Sequence, residues 1–258
     1  KEIPGWYVLR DDSARQNQLN NYLAKFKNEK EQLKEIERLI KKGVTQNDFN
    51  LLAGTHKALK DGNVVIAMKS LLNVDGDKET KTMAGVAVAK EVKNIKNPKN
   101  QYAVSEAIVA TGNKKVIETG SKDVSNLDKT VQTQTHALYF DTNDKDVQKI
   151  LTEQYGQYDK TCEVAIHAKT MTSQYQEILN LGSSNIYKFD ESNQKAAIQI
   201  TINTNNEAAI NAAAAKINYY NQDVKAEIKT MLASTQYESV KTTLATAPQP
   251  SVEEAEVP

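Results

Sequence analysis

The chain has 258 residues, enough to bury a sizeable core, with 33 basic residues balanced by 33 acidic ones and no formal net charge. Nothing in that balance draws the whole protein to nucleic acid or to an anionic membrane. The lone cysteine, Cys162, excludes an intramolecular disulfide, and no run of about eighteen apolar residues is present to form a transmembrane segment.

The first ten residues, KEIPGWYVLR, carry the single tryptophan, Trp6, read as an anchor packed on the domain. A start at Lys1 is read as the product of processing and sets the expectation of an extracytoplasmic (cell envelope) or virion location. Residues 12–42 are predicted to form one long helix. Leu19, Phe26, Leu33 and Ile40 recur every seventh residue, with Tyr22 and Ile36 between them and Glu29 interrupting the seam. Such a stripe suits packing on the helix's own domain or a coiled coil. These six residues are the candidate self-association interface, and a homo-oligomer is the expectation drawn from them.

Thr45 with Asp48 three residues on marks a helix start. Asp61-Gly62 breaks the chain, Asn63 offers a cap for residues 64–72, and a further helix is expected over residues 79–95, ended by Pro98. Residues 1–98 therefore form a helical region in which no motif repeats at a fixed period.

After Pro98 the pattern suggests strands. Residues 102–110 and 114–119 flank Thr111-Gly112-Asn113, a hairpin signal, and the Thr- and aromatic-rich VQTQTHALYF over residues 131–140 suits a pleated surface. Residues 99–160 are thus assigned antiparallel strands plus one helix. In residues 161–246 the predicted order is strand, helix, strand, strand, helix, strand, a ferredoxin-like (split βαβ) unit. Its key stretch is AAIQITIN, residues 196–203, where Ile198, Ile200 and Ile202 alternate with polar residues before Thr204 and Glu207 form a capping box. Thr142, Thr170 and Thr204 each precede an apolar pair by eight and nine residues, read as a recurring strand-to-helix junction. Residues 247–258, with three prolines and three glutamates, read as a flexible tail. The expected fold class is therefore α+β: a helical N-terminal region with a heptad-bearing helix, then an antiparallel or mixed sheet.

Catalytic patterns are sparse. There is no glycine-rich phosphate loop and no G-x-S-x-G elbow, so no cofactor is expected. Cys162 reads as a buried structural thiol. His56, His136 and His167 lack metal-ligand spacing and read as solvent-facing, although neighbouring strands would let His136 and His167 approach each other near Glu163. Asn73, Asp75, Asp77 and Glu79 match a calcium loop poorly, since Gly76 falls at the wrong position. Glu106, Glu118 and Asp141 are acids in strand regions with nothing to pair them.

The reading these residues support is a non-enzymatic structural or assembly protein. It would act through protein–protein contacts as a subunit of a larger envelope or virion assembly, without nucleic acid. The alternatives are a small-ligand or polysaccharide module using Tyr139, Tyr187 and His136 on the sheet, and an enzyme whose site is assembled from scattered residues.

Overall fold

A computed structural model describes residues 11–251, which form fifteen α-helices, several short 3-10 turns and no strand. The expected sheet is absent from these residues, so the α+β and ferredoxin-like assignments are wrong. The helical expectation for residues 1–98 agrees with what is described of them. Trp6 and the end of the tail lie outside the described residues.

The chain divides into two compact units, Lys1–Asp123 and Val124–Pro258. In the first, α1 (Asp12–Leu23) lies against α3 (Gln46–Ala53) and the 3-10 turn after it. Three helix hairpins follow: α2 (Glu29–Ile40) with α3, α4 (Asp61–Leu72) with α5 (Lys78–Glu91), and α6 (Pro98–Ala110) with α7 (Lys114–Ser121). Their first helices, α2, α4 and α6, pack in one row, and their second helices, α3, α5 and α7, in another. The second unit stacks four hairpins in the same way: α8 (Lys129–Phe140) with α9 (Lys145–Glu153), α10 (Glu163–Thr170) with α11 (Gln176–Ser184), α12 (Glu191–Asn203) with α13 (Glu207–Ala214), and α14 (Gln222–Ala233) with α15 (Glu238–Thr246).

A 31-residue period underlies the later hairpins. Asn97, Asp128, Asp159, Asp190 and Asn221 each accept a hydrogen bond from the N–H two residues on, at 2.9–3.1 Å. Four of these bonds cap a helix and the one at Asp159 closes a turn just before α10. Four residues after Asn97, Asp128, Asp159 and Asp190 lie Gln101, Gln132, Glu163 and Gln194, all buried. Gln132 ties its hairpin to both flanks: Nε2 donates to the Ser125 and Leu127 carbonyls, and Oε1 accepts from Asp159 N–H. Gln194 donates in the same way to the Tyr187 and Phe189 carbonyls. Glu163 accepts from Asp190 N–H and Asn193 Nδ2, and its burial raises its pKa. Backbone groups left open between hairpins are thus satisfied by one side chain at a fixed offset.

The tip of each hairpin repeats as well. The Thr111, Thr142 and Thr204 hydroxyls donate to the carbonyl three residues back, and Gly112, Asn143 and Asn205 follow with φ of 61°, 55° and 52°. Asn113, Asp144 and Asn206 then cap the second helix. Tyr175 and Tyr237 stand at the cap position of the other two tips, and each hydroxyl donates to the backbone of the preceding tip, at Asn143 O and Asn205 O, both 2.8 Å.

These bonds correct several expectations. Thr204 ends α12 rather than capping the next helix; that cap is Asn206, which accepts from Ala209 N–H. The Thr142–Thr204 echo is real and spans two periods, but Thr170 is out of register by one helical turn, its repeat position being Ser173. The alternating isoleucines lie on a helix: Ile198 is fully buried, while Ile200 and Ile202 are half-buried. In residues 131–140 the buried set is Val131, Gln132, Thr135, His136, Tyr139 and Phe140, spaced as one helical face. The strand reading failed because polar residues occupy core positions there, which erased the apolar 3.6-residue signal and left β-branched content to dominate.

The last hairpin differs on its outward side. Lys229 and Lys241 are exposed at the positions where inner repeats bury His136, His167 and Ile198, or Gln148 and Ile210.

Candidate functional site

The predicted heptad seam folds back on itself. Residues 24–28 break it, and Asn28 caps α2 by accepting from Glu31 N–H. Leu19, Ile36 and Ile40 are buried in the first unit, whereas Tyr22, Phe26 and Leu33 are half-buried. Tyr22 packs edge-on against Phe26 with centroids 5.4 Å apart and donates to Glu35 at 2.7 Å, and Glu35 also holds Arg38. Leu19 and Tyr22 therefore lie on α1, Leu33, Ile36 and Ile40 on α2, and Phe26 in the break between them, so no single straight stripe is formed.

Chemistry-bearing side chains are dispersed. His56 Nε2 lies 3.0 Å from Glu91 Oε2, and this hydrogen bond holds the Glu91 carboxyl below its usual range. Glu91 lines a cleft of about 360 Å³ with Arg15, Asn20 and Asp48. Asp48 is already committed to the capping box with Thr45. Cys162 is buried, its Sγ donating to the Lys129 carbonyl at 3.3 Å. In the calcium-like loop, Asn73 donates to Lys69 O and Asp77 accepts from Thr80 N–H, so both serve helix ends. Tyr139 and His136, read as ligand contacts on a sheet, are core residues. Tyr187 is half-buried against Tyr219, with Lys216 Nζ 5.9 Å from its ring centre.

A recess of about 800 Å³ lies in the first unit at the tips of α4–α5 and α6–α7. Leu72, Val74 and Val116 are among its lining residues, with Lys69, Lys78, Lys81, Asp75 and Glu106 around them. Cations and anions are mixed there, and no buried polar atom lacking a partner lies along it.

The second unit offers a more coherent feature. On the outward faces of α8, α10 and α12 the repeat places Ala137, Leu138, Val164, Ala165, Ala168, Ala196, Gln199 and Ile200, all exposed or half-exposed. Charge is sparse on this face: Lys169 is paired with Asp141, and Lys195 with Glu227 of α14. The second-helix row is different, with Lys145, Lys149 and Glu177 exposed and joined in an ion-pair cluster. Sequence reasoning missed this face because it depends on the 31-residue register. Aligning Asp128, Asp159 and Asp190 would have shown it.

Comparison with known protein families and with curated proteins finds no match for this chain.

Proposed function

We propose that the chain is a protein-binding scaffold of stacked helix hairpins, engaging its partner through the outward faces of α8, α10 and α12. The observation that carries this is the division of labour within the period. Caps, buried Gln or Glu ties and turn Thr or Ser residues recur every 31 residues, while the outward positions change and stay weakly charged, four of the eight being alanine. Stacked repeats of this kind present side chains from several helices on one continuous surface, which suits an extended protein partner. Small residues let a partner's backbone approach closely, and the few charges lower the desolvation cost of docking. Participation in a larger envelope or virion assembly is one form such binding takes. Self-association through the α1–α2 seam is another, tested by light scattering of wild type against a Phe26→Ser, Leu33→Ser variant.

The decisive experiment places photo-crosslinking residues at Ala165 and Ala196, and at Lys149 on the opposite row, and recovers adducts from extracts of the source organism. A partner trapped from the first two positions and lost on Ala168→Arg with Ala196→Arg supports the reading. A partner trapped only at Lys149, or insensitive to the two arginines in a folded variant, overturns it.

A further inference from the structure

Buried imidazoles are the least expected feature of the second unit. His136 on α8 and His167 on α10 occupy the same repeat position, 31 residues apart, and both are wholly inaccessible to solvent. They belong to a row of rings through the core. His136 stacks on Phe140 at 5.5 Å and meets Tyr158 edge-on at 5.9 Å; Tyr155 lies 6.5 Å from Tyr158, 5.9 Å from His167 and 4.7 Å from Phe189.

Their hydrogen bonding differs. His167 lies between Tyr155 Oη at 3.1 Å and Thr201 Oγ1 at 2.8 Å, while neither ring nitrogen of His136 has a partner. Among the described residues no carboxylate bonds either ring. The charged group acting on His136 is Lys169 of α10, paired with Asp141 and of the wrong sign to favour a second cation. The phenols of Tyr155 and Tyr158 approach from the segment after α9, and burial keeps both neutral. Around His167, α11 and α12 contribute the uncharged Ser183 and Thr201. Glu163, elsewhere on α10, is engaged by Asp190 N–H and Asn193.

We propose that Val124–Pro258 is an acid-labile module, in which proton uptake by His136 and His167 drives the α8–α12 hairpins apart. Each protonated ring would be a buried cation without a counter-ion, and His136 would have no acceptor for either N–H. Burial accordingly holds both pKa values down to about 3 in the folded chain. An unfolded histidine titrates near 6.5. Above that pH both states carry neutral rings and the pair is indifferent to pH. Between about 6.5 and 3 the opened state binds up to two protons that the folded state refuses, so stability falls as pH falls. Glu163 opposes this weakly, since its raised pKa makes the folded state the better proton binder near the carboxylate range.

The test is amide hydrogen exchange on the full chain at pH 7.0 and 5.5, corrected for intrinsic exchange rates. One fully refused proton raises the opening equilibrium about 8-fold over that interval, and two raise it roughly 70-fold. Amides of α8, α10 and α12 are expected to lose protection by the larger factor. His136→Phe, which keeps the ring stack, should leave about the 8-fold response, and adding His167→Gln should abolish it. A wild-type response below twofold, or a full response in the double variant, overturns the proposal. Should the variants fail to fold, NMR titration of the wild-type imidazoles decides. Two rings still neutral at pH 5 sustain the proposal, and either one titrating near 6.5 removes it.

Discussion

The two units use the same hairpin but fill it differently. In the first, the starts of successive first helices follow Asn28, Lys60 and Asn97, 32 and then 37 residues apart, and the core is largely aliphatic: Leu19, Ile36, Leu52, Met68, Leu71, Val88 and Ile108. In the second, Asp128, Asp159, Asp190 and Asn221 recur at a constant 31 residues, although α10 itself starts a few residues late, after Cys162, and the core admits Gln132, Thr135, His136, Gln148, Thr152, Glu163, His167, Thr170, Ser183, Gln194 and Thr201. A constant spacing lets a buried polar group be satisfied, because the neighbouring repeat presents the needed carbonyl or N–H at a known place. The less regular first unit buries polar residues as well, among them Asp48, His56, Gln101 and Ser105, but fewer of them. Regularity serves the Gln132 tie, while His136 in the same unit keeps both ring nitrogens without a partner.

The comparison breaks most severely at Ile198. Ile198→Asp places an unpaired carboxylate in a fully buried site and should unfold the second unit, lost helical circular dichroism being the readout; a folded protein would contradict the burial. Next in size is Gln132→Leu. It strands two carbonyls and one N–H at a cost of about 1–3 kcal/mol each, so several kcal/mol in urea unfolding is expected. The equivalent Gln101→Leu in the first unit removes the bond to Ile95 O and should also destabilise, by about 1–3 kcal/mol for each group it strands. Equal losses at the two positions would show that the tie between repeats is no special property of the regular array. Smaller again are the turn substitutions. Asn205→Ala and Gly112→Ala both force alanine to a positive φ and should each cost about 1–2 kcal/mol, while Asn205→Gly is close to neutral. Tyr237→Phe removes only the bond to Asn205 O and should cost about 0.5–1.5 kcal/mol by thermal unfolding.

The same contrast explains what was legible in the sequence. Helices up to α5 announce themselves, because their cores are apolar and their starts conventional, as where Thr45 and Asp48 form the reciprocal cap expected of them, whereas α6 and α7 of the same unit read as strands. Pro98 was legible as a boundary, although it opens α6 as well as closing the preceding segment. In the second unit the helical face was written in Gln, Thr and His, residues that an apolar-periodicity argument scores as solvent-facing. The isoleucines of α12 then alternated by coincidence. The period was present in the caps, but one shared by Asp and Asn at five positions is faint beside β-branched runs such as VQTQT. The docking face was illegible for the same reason, since residues such as Ala165 and Ala196 form one surface only once the register is known.

Lys229 and Lys241, exposed on the last hairpin, carry a consequence for how such a chain lengthens. A copy added after α15 would have to rest on two ammonium groups, whereas a copy inserted between Phe189 and Asp190 meets matching ties on both sides. A whole 31-residue hairpin inserted at that junction would keep these ties and lengthen the row of first helices offered to a partner.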